Sequence, residues 1–387
     1  MTNTMKIIWP LILISYFSLF VFGLTDNIRG PLFLDILNDF QVSDSKGSWM
    51  FALGSISGFF ASRLARYLLF RVTRRLILQA ASLLMSLSLV GLALSPNFNI
   101  FLIFSFLFGI SSGIIGLIPN ILVPLGSPEN KKQQLLSGLH AMYGISSLIA
   151  PLMVAGMDML FHKWRYIFGL VALIPFMLFL YSLHPSHNEH HANPEKKSTV
   201  HHSFKFFHSK AQIYLAFMLS FAVCSEVMMS SRLALFMRRV WNYDLEQSSL
   251  YVTYFFIALL LSRLLFTAKK FNLSIINQLS ISLVSTALML VCGLMVHPFF
   301  LVIAGFCISP FFPLTISLLS NEFPEDMDSA VSMIMTVDSF MLAFMHLFIG
   351  KLTDNFGINH AFYYALFFLS TSLVFAQAYS FFFKKNT

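Results

Sequence analysis

Runs of about twenty apolar residues recur about twelve times along the chain, at approximate limits 7–36, 47–69, 76–95, 99–124, 134–158, 165–183, 211–237, 248–268, 273–296, 299–320, 329–350 and 359–383. A helix of that length crosses the hydrocarbon of a bilayer. Backbone N–H and C=O groups in hydrocarbon must bond within the chain, so the runs are expected as helices. Most connections are shorter than the helices they join, which leaves little chain for a soluble domain. The composition agrees: 57% of the 387 residues are hydrophobic, 11% are charged, and the mean hydropathy is +0.74. A soluble domain carries about 25% charged residues. The expected fold class is an all-α membrane protein with twelve transmembrane helices.

The first run is too long and too polar for a cleaved signal and is expected to remain as the first span. Cys224, Cys292 and Cys307 all fall within predicted helices, which argues against a disulfide framework. With the N-terminus placed in the cytoplasm, 17 lysines and arginines fall on that side and 6 on the other. That split follows the positive-inside rule and puts both termini in the cytoplasm. The net charge of +8 is then an orientation signal, and nucleic-acid binding is not expected.

Residues 184–210 read HPSHNEHHANPEKKSTVHHSFKFFHSK, a polar stretch with no apolar period. It is expected as a cytoplasmic linker between two six-helix bundles, 1–183 and 211–387. It holds seven of the twelve histidines. No fixed ligand spacing is visible among them, so a solvated connector is preferred to a metal-binding or pH-sensing loop. Weak repeats support two pseudo-symmetric halves. Ser62-Arg63-Leu64 recurs as Ser262-Arg263-Leu264, and the same shift of 200 residues carries Asp26 onto Glu226.

The charged residues inside the spans stand out against this background. The first span contains GLTDNIRGPLF (23–33). A charge at the centre of a spanning helix costs roughly 2.5–3.5 kcal/mol on insertion scales, and such residues are functional candidates. Asp26 and Arg29 lie three apart on one helical face and can pair. Pro31 lacks an N–H and is expected to bend the helix. The seventh span holds Glu226 and Arg232, six apart and on different faces, so each needs a partner on another helix. His140 in the fifth span shares a stripe with Gly144, Ser147 and Pro151. Asp338 in the eleventh span lies eight residues before His346, and Asn120 follows Pro119 in the fourth. Arg63 and Arg263 close two spans at the cytoplasmic side and are expected to have structural or gating roles.

Three acids thus face two bases in the midsection, leaving one acid spare. An unpaired carboxylate in a dry site binds a proton more readily, the physical requirement for proton coupling. Spacing does not say which of Asp26, Glu226 and Asp338 is the spare. No Gly-x-x-x-x-Gly-Lys-Ser/Thr run occurs, so ATP-driven transport is not expected. No nucleophile and base stand at a fixed spacing, so no enzyme is expected, and neither a cofactor nor a metal is called for.

Five stretches carry a family resemblance: GLTDNIRGPLF, LHAMYGISSLIAPL (139–152), KWRYIF (163–168), SEVMMSSRLALFM (225–237) and GFCISPFFPLTISLL (305–319). The chain resembles the major facilitator superfamily, and within it the fucose-permease-like sugar:proton symporters. The resemblance spans nearly the whole chain. It implies a major facilitator fold, a Leu-x-Asp motif at Asp26, and a paired-proline tenth span at Pro310 and Pro313. The loop between the second and third spans departs from the usual pattern, since Phe70-Arg71-Val72-Thr73-Arg74-Arg75 lacks its acid and glycine. The fourth span has Ile114-Ile115-Gly116 where the fucose permeases place a glutamate, so their two-carboxylate coupling does not transfer whole. Arg29 is also outside their first-span pattern.

The expected function is alternating-access transport of a small polar solute such as a sugar or polyol, by proton symport, in the cell inner membrane. Asp26, Glu226 and Asp338 are the proton-coupling candidates, with Asp26 favoured for coupling and Glu226 for solute binding. Asn27, Arg29, Asn120, His140, Tyr143, Glu226, Arg232 and His346 are the candidate solute ligands. Arg63, Arg263, Pro31, Pro310 and Pro313 are assigned to gating or structure. A monomer is expected, with the bilayer, protons and the solute as its partners. The alternatives are an anionic metabolite or siderophore clamped by Arg29 and Arg232, or export of a drug or metabolite.

Overall fold

The structure, a computed structural model, describes residues 6–69, 71–185, 209–268, 272–323 and 327–383. All regular structure among them is helical. In chain order the helices are α1 (Trp9–Asn27), α2 (Phe33–Phe40), α3 (Asp44–Gly47), α4 (Trp49–Leu68), α5 (Arg74–Leu94), α6 (Phe98–Leu125), α7 (Lys132–Phe161), α8 (Trp164–Val171), α9 (Leu173–Ser182), α10 (Lys210–Val240), α11 (Leu245–Ala268), α12 (Ile275–Met295), α13 (Phe299–Ile308), α14 (Phe311–Glu322) and α15 (Met327–Phe383). Of the expected linker, residues 186–208 lie outside the described residues, as do Phe70, Lys269, Lys270, Lys384 and Lys385.

Among the described residues, ten stretches are long and apolar enough to cross a membrane. One of them, Met333–Phe383, contains two spans, because Gly357 breaks α15 at φ +79° and ψ 159°. That backbone region is essentially closed to residues with a Cβ. With α4, the described residues hold the twelve spans the apolar runs predict. Several starts are capped by the residue types that favour it. Thr73, Asn97, Ser209 and Ser274 each accept the N–H three residues on, at 3.0–3.3 Å. Prolines interrupt two spans, at Pro31 as expected and at Pro310. The regular helix is interrupted over residues 28–32 around Pro31, and the tenth span splits at Ser309 and Pro310 into α13 and α14.

The chain divides into two compact units, Met1–Phe40 with Leu53–His202, and Gln41–Ala52 with Ser203–Thr387. In the first unit α1 packs on α6 and α7, and α5 on α6 and α9. Ile12, Leu19, Val123, Leu135 and Leu139 form one buried cluster there. Close approach of α4 and α6 depends on glycine. A Cβ on Gly109 would lie 2.7 Å from the Cα of Gly54, and one on Gly113 would lie 2.8 Å from the Cα of Gly58. Both pairs follow the Gly-x-x-x-Gly spacing that lets membrane helices meet backbone to backbone. At one end of this unit Asp39 accepts hydrogen bonds from the Trp164 indole (3.2 Å) and the Arg165 guanidinium (3.0 Å). Arg165 also donates to the carbonyls of Ala93 and Ser95, at 3.0 and 2.7 Å.

In the second unit α10 packs along α15, and α13 against α11 and α12. Serine hydroxyls tie these helices together: Ser282 donates to the Cys307 carbonyl (2.6 Å), Ser309 to that of Leu259 (2.7 Å) and Ser372 to that of Met218 (2.7 Å). The short helix α3 packs on α15, where a Cβ on Gly350 would collide with the Ser48 hydroxyl.

Candidate functional site

In the first unit, polar groups gather where α1 ends. Arg29 pairs with Asp26 through Nη2 and Oδ1, and its Nε donates to the Asp26 carbonyl at 3.3 Å. The pair expected from three-residue spacing is therefore formed. Tyr143 on α7 donates its hydroxyl to the other Asp26 oxygen at 3.5 Å. Asn27 donates to the Gly23 carbonyl (2.7 Å) and to the Ser147 hydroxyl (3.0 Å). The Arg29 guanidinium lies over the Phe108 ring, 5.0 Å from its centroid. Gly54 makes room for it, since a Cβ there would stand 3.2 Å from Arg29 Nη1. The side chains of Arg29 and Asp26 keep 11% and 27% of their exposure, so solvent reaches the acid more than the base.

The structure thus brings Asp26, Asn27, Arg29 and Tyr143 together and adds Ser147, which the sequence placed only on the His140 stripe. Two other candidates lie on the neighbouring helices α6 and α7. Asn120 donates to the Gly116 carbonyl of its own helix at 2.7 Å, and His140 is exposed on α7. Arg63 lies over Phe59 at 4.6 Å.

In the second unit, Glu226 lies midway along α10 and faces Arg263 of α11 at 3.7 Å. Hydropathy alone had put Arg263 at a helix end. Asp338 on α15 is close enough to Glu226 and to the buried thiol of Cys224 for their charges to interact. Its Oδ1 is shut off from solvent with no hydrogen-bond partner.

Arg232 and His346 belong to a different group. Arg232, 1% exposed, donates to the Ser48 hydroxyl at 2.8 Å and covers the Phe51 ring at 4.7 Å. His346 stacks on Phe51 at 5.0 Å between centroids, with 20° between the rings. Nearby, Arg239 pairs with Asp44 at 2.7 Å. Sequence reasoning missed Asp44, Ser48, Phe51 and Arg239. The one available signal was the excess of charge in a short connection, Asp44 and Lys46 beside Ser43, Ser45 and Ser48.

Charged and hydroxylic groups held at a few points inside long apolar spans are what a polytopic membrane transporter uses to bind a solute. The chain belongs to the Major Facilitator Superfamily, whose profile matches residues 15–339. Its fold is similar to the crystal structure of a D-xylose-proton symporter, at TM-score 0.76 and 15% identity, covering 97% of each chain. It is similar to the nucleoside transporter NupG at TM-score 0.75 and 15% identity, covering 99% of this chain and 100% of that one. It is also similar to a bacterial homolog of the human lysosomal transporter Spinster in an inward-facing and occupied conformation, at TM-score 0.74 and 15% identity, over 97% and 96% of the two chains. At these identities the likeness speaks for the fold alone. A comparison with curated proteins gives no match.

Proposed function

We propose that the protein carries a small uncharged polar solute, a sugar or polyol, across the cell inner membrane by alternating access, with proton symport supplying the energy. The Asp26–Arg29 pair carries the solute class. It makes the first-unit group neutral as a whole. What it then presents is hydrogen-bonding capacity: a carboxylate oxygen, the Tyr143 hydroxyl, the Asn27 amide and the Ser147 hydroxyl. Hydroxyl-rich solutes match such a set. An ionic solute would leave one buried charge without compensation.

The likeness in fold to a D-xylose-proton symporter and to a nucleoside transporter supports the reading. The fucose-permease-like assignment rests on the motifs at Asp26 and at Trp164-Arg165-Tyr166-Ile167-Phe168. The anion reading needs Arg29 and Arg232 to let go of their present partners, Asp26, Ser48 and Phe51. The proposal also places residues 1–183 and 211–387 as the two half-transporters joined by 184–210, with both termini cytoplasmic, on the distribution of basic residues.

Counterflow in proteoliposomes tests the solute class with radiolabelled L-fucose, D-xylose, uridine and succinate. Exchange of a neutral hydroxylated probe without succinate exchange is the expected result. Succinate exchange alone would sink the proposal in favour of the anion reading.

A further inference from the structure

Three acids stand in the midsection of the spans, and two have arginine partners. Asp26 pairs with Arg29, and Glu226 faces Arg263. Asp338 has no ion pair among the described residues, and one of its oxygens is sealed from water without a hydrogen bond. The charge acting on it comes from Glu226 of α10, while Arg263 of α11 reaches this group through Glu226. One cation therefore serves two neighbouring carboxylates. With both ionised the trio carries one net negative charge. With one proton bound it is neutral, the state a low-dielectric interior favours.

We infer that Asp338, and not Asp26 or Glu226, carries the proton during transport, and that Glu226–Arg263 is the fixed charge pair against which it works. The inference rests on the proposed symport reading and names the residue that serves it. The chemistry is one proton transfer at each side of the membrane. A proton from water forms an O–H bond with the Asp338 carboxylate. That bond breaks when the group next meets water on the other side, and the carboxylate is regenerated. Glu226 keeps Arg263 throughout, so the second carboxylate stays compensated. This reading places the coupling acid in the eleventh span, away from Asp26 and its hydrogen-bonding neighbours.

The test is infrared spectroscopy of the full-length protein in lipid nanodiscs, labelled with carboxyl-13C aspartate, while bulk pH is cycled between about 6 and about 9. Exposed carboxylates are silent over that range. The expected spectrum has one protonated carboxyl band that follows the cycle and carries the aspartate isotope shift. The band should vanish in Asp338→Asn, persist in Asp26→Asn, and move to lower pH in Glu226→Gln, where Arg263 is left to Asp338 alone. Asp338→Glu keeps the charge, so it holds even if the asparagine variant does not fold, and it should move the band to the unlabelled glutamate position. No cycling band in the parent protein, a band without the isotope shift, or a band lost in Asp26→Asn would each overturn the inference. Uptake of D-xylose driven by a pH gradient is measured beside it. If no probe is taken up while the Asp338 band cycles, the solute reading fails and the assignment of the titrating acid stands. If uptake is intact and pH-driven in Asp338→Asn, the inference fails and the solute reading stands.

Discussion

Asp354 accepts the backbone N–H of Asp44 at 2.8 Å, and a second of its oxygens takes that of Ser45 at 3.1 Å. It thereby closes the first turn of α3, where the Ser43 hydroxyl also accepts the Lys46 N–H at 3.3 Å. Partial burial pushes the Asp354 carboxyl up, but the hydrogen bonds from Ser45, Ser43 and the Asp44 backbone together outweigh it and hold the group below the usual carboxylate range. Asp354 stands beside the Gly357 break, between the last two spans.

A depressed folded-state value stabilises α3 above the ordinary aspartate value of about 3.9 and ceases to do so as pH falls through the lower, folded one. Acidification should therefore release α3. Hydrogen exchange at the Asp44 and Ser45 amides should quicken, relative to the intrinsic rate, as pH drops from about 5 to about 3. In Asp354→Ala both amides should be fast at every pH. Equal protection at both ends of the range in the parent protein would refute this role.

The contacts of Arg232 make a prediction about stability. Its guanidinium is almost wholly buried against Ser48 and Phe51. Arg232→Gln loses a charged hydrogen bond and the ring contact, at about 1.5–3 kcal/mol for the former and about 1 kcal/mol for the latter. Thermal unfolding in detergent should show the loss with no solute present. An unchanged melting point together with weakened succinate binding would instead favour the anion reading.

The Asp26–Arg29 pair gives a double-mutant cycle. Asp26→Asn strands a buried guanidinium and should cost about 3 kcal/mol, the scale for breaking a buried pair. Adding Arg29→Gln removes that charge and should recover much of the loss. Full additivity of the two changes in denaturation would show that the pair is not coupled.

The glycine contacts between α4 and α6 predict opposite outcomes for similar changes. Gly113→Ala puts a methyl 2.6 Å from the Gly58 carbonyl oxygen, so backbone has to move. Overpacking of that kind costs about 1–3 kcal/mol. A Cβ at Gly156 on α7 meets nothing within 4 Å. Gly156→Ala should be neutral or stabilising by up to about 1 kcal/mol, the helix-propensity gain. The two melting temperatures, compared with that of the parent, check both signs.

Legibility in the sequence followed the range of each interaction. The twelve spans could be read because apolar length is a local property, and the bend at Pro31 because a missing N–H is local too. Asp26–Arg29 was legible for the same reason, lying within one turn. Glu226 could be seen to need a partner on another helix, but periodicity could not name Arg263, because position along an eighth span says nothing about what faces it. Charge counting left one spare acid and no identity for it. The Arg232–Ser48 contact was hidden most completely, since 184 residues separate its ends and the 41–52 stretch has no apolar period of its own. It groups with the second unit although the chain on either side of it belongs to the first.

Arg165 carries a consequence for biosynthesis. Its guanidinium bonds groups 126, 72 and 70 residues earlier in the chain, at Asp39, Ala93 and Ser95. The ribosome makes all three acceptors before it makes their donor. Until α8 is inserted, the ends of α2 and α5 lack this arginine, whatever the first five spans have already done. A truncation ending before Trp164 would lack the residue that locks them together, while one ending after Ser182 would contain it. The arginine thus acts as a completion mark, closing the first half of the protein at the moment its sixth span arrives.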